Sequence, residues 1–132
     1  MQPDFPYSTT EHLTTPIRST IDSGDSAFSA VNLAGHGIVG LWIGPTNLTS
    51  LTLVHAPPAE TEPAEADFEP FSDQTGVAVA ITLPAGASSA RVYVQLTPTS
   101  VVRAHWIKLV GNTTASADGE VLIDIVNHFS YE

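Results

Sequence analysis

The sequence predicts an all-β fold, a single antiparallel β-sandwich or jelly-roll-like domain of about eight strands. In residues 77–83 and 91–97, apolar side chains alternate with polar or small ones, and a period of two places alternate residues on opposite faces of a strand. Short apolar runs separated by turn residues recur along the chain, without a sustained helical stripe. The length of 132 residues fits one domain.

The predicted elements follow one another in order along the chain. Residues 1–16 contain three prolines and no hydrophobic period, so we expect an extended N-terminal arm. Phe5 and Tyr7 either anchor this arm on another surface or belong to a frayed terminus. The sandwich domain is expected in residues 17–132, with strands at 17–21, 27–33, 38–43, 48–55, 77–83, 91–97, 104–110 and 120–129.

Two strands contain the tryptophans. Residues 38–43 (IVGLWI) are apolar at both parities, which predicts a central strand covered on both faces, with Trp42 in the core. Residues 104–110 place Trp106 and Lys108 on the outward parity, where Trp106 is the better candidate for an exposed contact. An alternative is that Trp42, Tyr93 and Trp106 form a platform on which a sugar stacks.

A long acidic segment interrupts the strands at residues 56–76, which we call the acidic loop. It contains four prolines and is longer than most connections in a compact domain. Phe68 and Phe71 are expected to hold its second half on the sandwich. The loop is either a solvated, self-repelling insertion or an acidic contact for a basic partner surface. Its six acids are Glu60, Glu62, Glu65, Asp67, Glu69 and Asp73.

The charge and composition exclude several classes of function. With 14 acids against four bases the formal net charge is −10, which disfavours binding to a phosphate backbone. Without a cysteine there is neither a disulfide framework nor a thiolate metal site. No apolar run reaches the roughly 18 residues of a membrane span, and the N-terminal residues lack the pattern of a secretory signal.

The residues that could support catalysis or metal binding do not form a recognised pattern. No two of the five histidines stand two or four residues apart, so the sequence has no pre-arranged zinc site. The segment from Asp22 to Ser26 is either a simple turn or a calcium loop. No Gly-x-Ser-x-Gly elbow and no glycine-rich phosphate loop is present. We therefore expect no enzymatic activity, no cofactor and no metal, and a small enzyme or metal-binding sandwich is the least favoured alternative.

Five segments, taken in order, carry a resemblance to a known class of proteins: 29–35 (SAVNLAG), 38–45 (IVGLWIGP), 47–52 (NLTSLT), 68–76 (FEPFSDQTG) and 106–109 (WIKL). Over residues 20–127 the chain resembles the small β-rich virion proteins that tailed bacteriophages encode near their capsid genes. It departs from them where the Pro/Glu-rich stretch of the acidic loop replaces a short Asp-Gly turn, and where Val110 replaces an arginine.

The resemblance implies a structural virion protein, a capsid decoration (cement) or head-fibre protein. Such a protein would bind the major capsid protein lattice or other virion proteins and stabilise the head. It would act on the capsid surface as a homo-oligomer, with a trimer favoured, after assembly in the host cytoplasm, and would contact neither nucleic acid nor membrane. The alternative is a carbohydrate- or receptor-binding β-sandwich module of a phage tail or fibre. The candidate partner contacts are Phe5, Tyr7, Glu60, Glu62, Glu65, Asp67, Trp106 and Lys108.

Overall fold

The computed structural model describes residues 9–12, 16–71, 79–96 and 105–129, the first segment and residues 126–129 by their backbone alone. Two short 3₁₀ turns lie at Glu65–Asp67 and Ala85–Ser88. Within these ranges, no helix has the length and hydrophobicity needed to cross a membrane. The described residues form ten strands: β1 (Thr9–His12), β2 (Ile17–Ile21), β3 (Val31–Asn32), β4 (Gly37–Ile43), β5 (Ser50–Ala56), β6 (Glu69–Pro70), β7 (Ala80–Thr82), β8 (Val92–Gln95), β9 (Trp106–Gly111) and β10 (Gly119–Phe129).

The strands build two five-stranded sheets in which every pairing is antiparallel. In sheet A, β10 pairs with β1 and β2 along one edge and with β4 along the other, and β8 lies outside β4. In sheet B, the order is β3, β9 and β5, and both β6 and β7 pair with the free edge of β5. The prediction of an antiparallel β-sandwich is therefore confirmed.

The core lies between the sheets and follows the period-two pattern of the strands. Burying each large aliphatic side chain contributes about 1.5–3 kcal/mol, so a continuous cluster is the main source of stability. Its most deeply buried members from the two sheets are Leu41, Ile43, Val121 and Ile123 of sheet A and Leu51, Leu53, Ile107 and Leu109 of sheet B.

The predicted strand at residues 27–33 is wrong over most of its length. Ala27 makes one isolated bridge to Val110, and only β3 forms a ladder. The backbone amide of Phe28 donates to the Leu109 carbonyl of sheet B, at 2.9 Å, whereas the next amide, of Ser29, donates to the Thr20 carbonyl of sheet A, at 2.8 Å. The segment crosses between the sheets, so its backbone cannot continue one ladder.

Two strands were not expected. β1 lies within residues 1–16, so part of the predicted arm pairs with β10 in the register Thr9 with Phe129 and His12 with Val126. β6 lies within the acidic loop and pairs with Val54 and His55 of β5. Both strands are short and polar, and neither offers the apolar alternation by which a strand is recognised.

The apolar pattern of β4 has a different cause from the one predicted. The register between β4 and β10 shifts at a β-bulge, where Asp124 pairs with Gly40 but the next residue, Ile125, pairs with Ile38. The extra residue reverses the side-chain alternation, so Ile38 faces the core before the bulge and Leu41 faces it after the bulge. The strand is therefore not covered on both faces, and Trp42 lies on the outer face with 43% of its surface exposed.

Candidate functional site

The described part of the acidic loop, residues 56–71, is held against sheet B by the β6–β5 pairing and by three side-chain contacts. The Trp106 indole Nε1 donates to the Ala59 carbonyl at 2.9 Å. The Lys108 ammonium lies 4.5 Å from the centroid of the Phe68 ring, a cation–π contact. Phe71 is 8% exposed and joins the core, with its ring edge-on to His55 at 4.8 Å. The expectation that Phe68 and Phe71 hold the second half of the loop is confirmed.

The carboxylates of the acidic loop are accessible to solvent. Each of the predicted contact residues Glu60, Glu62, Glu65 and Asp67 is exposed, as is Glu69. In the part of the chain that the structure describes, none of these five makes an ion pair. Asp73 lies outside the described residues. The loop therefore presents a run of negative charge on a fixed scaffold.

An open cleft of about 620 Å³ separates the acidic loop from the end of sheet B. Three of the loop carboxylates, those of Glu62, Asp67 and Glu69, line it together with His55 and His105. Within the described ranges, neither histidine is hydrogen-bonded to a hydroxyl or a carboxylate, and no group of three or more side chains has an arrangement suited to a metal ion. The cleft is suited to a cationic side chain, because three carboxylates belong to its lining.

A second surface lies on the outer face of sheet A, opposite to the acidic loop. Trp42 of β4 and Tyr93 of β8 are cross-strand partners with 43% and 36% of their surfaces exposed. Their ring centroids are 4.7 Å apart and the planes are inclined by 52°. We call this pair the aromatic platform.

The position of the Tyr93 ring is fixed by its neighbours. Its hydroxyl donates to Asp124 Oδ2 of β10 at 3.1 Å, across β4. The ring crosses β4 above Gly40, where a Cβ atom would lie 2.5 Å from Tyr93 Cζ. Desolvation raises the pKa of the Tyr93 phenol above its ordinary value of 10.0, and the hydrogen bond to Asp124 and its charge act in the same direction. The hydroxyl therefore stays a donor at neutral pH.

Two arginines and one glutamate border the platform. Glu120 of β10 accepts from Arg18 Nε of β2 at 3.1 Å and from Arg91 Nη2 at 2.7 Å. Exposed pairs of this kind contribute at most about 1 kcal/mol each, so they orient side chains more than they stabilise the fold.

The structure exchanges the roles expected for the two tryptophans. Trp106 does lie on the outward parity of β9, but the acidic loop covers it and leaves it half-buried. The expectation that Trp106 is the more exposed tryptophan is therefore wrong, as is the prediction that Trp42 lies in the core. The role of Trp106 as a partner contact stays a prediction. Lys108 is half-buried beneath Phe68. Trp42 and Tyr93 are in contact, as a platform of three rings requires, but Trp106 belongs to the other sheet and cannot join them.

Other candidates are placed as follows. Phe5 and Tyr7 lie outside the described residues. In the segment from Asp22 to Ser26, the Asp25 amide donates to the Asp22 carbonyl at 3.0 Å, which is the bond of a simple turn.

Comparisons with known proteins identify no relative. No protein-family model matches the chain, and neither the curated proteins nor the solved structures contain a significant match.

Proposed function

We propose that this chain is a structural protein of a phage virion, a capsid decoration protein that binds a basic surface of the major capsid protein lattice through its acidic loop. The observation that carries the proposal is that the exposed carboxylates of the acidic loop stand on an ordered scaffold. The resemblance of residues 20–127 to small phage virion proteins supports the same role.

The fixed shape of the loop favours binding. Like charges held close together repel one another, so the clustered carboxylates destabilise the folded loop unless a cationic group binds beside them. The prolines and the contacts of Trp106, Lys108 and Phe71 restrict the loop before a partner arrives. A pre-ordered loop loses less conformational entropy on binding than a free one.

The cleft beside the loop offers a place for a partner side chain. Glu62, Asp67 and Glu69 line it, and carboxylates at a concave surface attract a lysine or arginine. A contact of this kind accelerates association and weakens as salt screens the charges. We therefore expect capsid binding to depend strongly on ionic strength.

The pairing of β1 with β10 supports an oligomer. It shows that residues 9–12 of the arm can extend the edge of sheet A. The same pairing made with the β10 of a neighbouring copy would link subunits without a new fold, as in strand exchange. We propose a trimer, which light scattering combined with gel filtration would measure directly.

Co-sedimentation with empty shells of the major capsid protein encoded with this chain tests the capsid role. The wild-type protein is expected to pellet with the shells, and progressively less as the NaCl concentration rises. A Glu62→Gln/Glu65→Gln/Asp67→Asn variant should bind about tenfold more weakly or worse.

A matched pair of single substitutions separates the loop from the total charge. Asp67→Asn and Asp22→Asn each remove one negative charge by the same amide replacement, but only Asp67 belongs to the loop. We expect Asp67→Asn to weaken binding and Asp22→Asn to leave it unchanged. Wild-type protein that stays in the supernatant, or equal effects of the two substitutions, would contradict the proposal.

A further inference from the structure

The aromatic platform on sheet A is not used by the proposed capsid contact. Trp42 and Tyr93 are the large hydrophobic side chains that the structure leaves exposed among the residues it describes. Aromatic rings of this size normally gain free energy by leaving water, so two that stay adjacent and exposed indicate a binding surface.

The platform is ordered before any ligand arrives. The two rings contact each other, the Tyr93 hydroxyl is bonded to Asp124, and Gly40 leaves room for the ring above β4. Rings that are already fixed lose little conformational entropy when a ligand stacks on them. This arrangement favours a ligand that presents flat C–H faces, because aromatic faces are electron-rich and attract polarised C–H groups.

Hydrogen-bonding side chains border the platform in neighbouring rows of the sheet. In one direction along the strands, the next outward positions are Asp124 of β10 and Gln95 of β8. Both residues pair with Gly40 of β4, which lies between them. In the other direction lie Glu120 and Arg91. Successive outward residues on a strand are separated by roughly 7 Å, so these groups surround the rings at a distance that suits a ring with polar substituents.

The charges on this face do not favour strongly ionic ligands. Arg18 and Arg91 are balanced by Glu120 and Asp124, so the local surface is close to neutral. The net charge of −10 on the whole chain repels polyanions at longer range. Apolar rings bordered by a carboxylate, an amide and a guanidinium are complementary to a sugar, which has C–H faces and an equatorial rim of hydroxyls.

From these observations we propose that the outer face of sheet A is a binding site for a neutral polysaccharide, with Trp42 and Tyr93 stacking on sugar rings and Asp124, Gln95 and Arg91 bonding to hydroxyls. The site lies on an open sheet face and not in a cavity, which suits a chain that passes over it. The proposal does not depend on the virion role, because the acidic loop belongs to the opposite sheet.

Affinity electrophoresis in native gels tests this site. The probes are dextran, laminarin, xylan and galactomannan as neutral polymers, with polygalacturonate as the acidic comparator. We expect at least one neutral polymer to retard the wild-type protein and polygalacturonate not to. Trp42→Ala and Tyr93→Ala should each weaken the retardation about tenfold or more, as for the central residues of other binding surfaces. Tyr93→Phe, which keeps the ring, should retain most of the binding.

Two control variants leave the platform intact. Thr20→Ala changes an exposed residue of the same sheet beyond the rings, and Glu65→Gln/Asp67→Asn changes the acidic loop. Neither should alter retardation. Fluorescence gives a second readout, because the chain has two tryptophans and only Trp42 belongs to the platform. A ligand-induced emission change should disappear in Trp42→Phe.

Three results would overturn the proposal. The first is that none of the neutral polymers retards the wild-type protein. The second is that folded Trp42→Ala is retarded as strongly as the wild type; circular dichroism verifies folding, and Tyr93→Ala decides if Trp42→Ala does not fold. The third is that Trp42→Ala loses shell binding while keeping polysaccharide binding, which would make the face a protein contact. Loss of shell binding by the loop variants alone concerns the capsid role and not this site.

Discussion

The substitution Gly40→Ala probes the fold and the aromatic platform together. An ideal Cβ atom at this position would lie 2.5 Å from Tyr93 Cζ and 2.8 Å from the Val94 carbonyl oxygen. Real Cβ contacts are not this short, so something must shift. The Tyr93 ring can rotate away, but the carbonyl belongs to the neighbouring strand β8 and can move only with the sheet.

The expected loss of stability follows from two opposing effects. Overpacking at a rigid contact costs about 1–3 kcal/mol. Replacing a glycine within a strand by alanine returns about 0.5–1 kcal/mol, because the unfolded chain loses conformational freedom. We therefore expect Gly40→Ala to lower the free energy of unfolding by about 1–2 kcal/mol, which corresponds to a fall in Tm of roughly 4–7 °C for a chain of this size.

Urea denaturation followed by tryptophan fluorescence measures this change. The matched control is Gly119→Ala in β10, where a new Cβ would meet Ile21 Cγ2 at an ordinary 3.5 Å, so its stability should stay constant or rise. The double variant Gly40→Ala/Tyr93→Ala should recover the part of the loss that comes from the ring. Equal stabilities of Gly40→Ala and Gly119→Ala would refute the steric argument.

Three further predictions concern the contacts described above. Tyr93→Phe removes the hydrogen bond to Asp124 and should cost about 0.5–1.5 kcal/mol, measured by urea denaturation. Because the pKa of the Tyr93 phenol is raised in the folded protein, the folded state holds this proton more tightly than the unfolded state does. The contribution of the proton to the free energy of unfolding is therefore fully present below pH 10.0 and is lost as the pH rises through the folded pKa. The Phe variant should lack this decline, and the same dependence of stability on pH in both proteins would contradict the role of burial. Leu53→Ala empties a fully buried site and should cost about 2–5 kcal/mol; a loss below 1 kcal/mol in thermal unfolding would contradict the assigned core. Phe68→Ala removes the cation–π contact with Lys108 and should cost about 0.5–1 kcal/mol while raising amide hydrogen exchange in the acidic loop; unaltered exchange would show that the loop is held elsewhere.

Three strands were predicted to within one residue of their ends. β2 spans the predicted residues, and the predicted strands at 38–43 and 120–129 agree with β4 and β10 within one residue. β3 is shorter than predicted because its segment exchanges partners between the sheets. That exchange depends on hydrogen bonds between distant residues, which local periodicity does not contain.

The candidate surfaces were predicted only in part. The acidic loop and its aromatic anchors stand out in the sequence, since acids, prolines and two phenylalanines cluster there. The exposure of the two tryptophans did not follow from the patterns of their strands. A bulge reverses the side-chain alternation of β4 before Trp42, and the acidic loop covers Trp106. The unusual glycine of the IVGLWI segment, Gly40, was the available signal that an aromatic ring crosses this strand.

The bulge in β4 makes the display of Trp42 a matter of chain length as well as residue type. Deleting the one extra residue, Val39, would give both halves of the strand the same alternation of inward and outward side chains. Ile38, Leu41 and Ile43 would then all face the core, paired with Ile125, Ile123 and Val121, and the indole would stay on the outer face. The bulge thus accommodates the added residue: a regular strand that kept Val39 would turn either Ile38 to solvent or the indole inward, although every side chain keeps its identity.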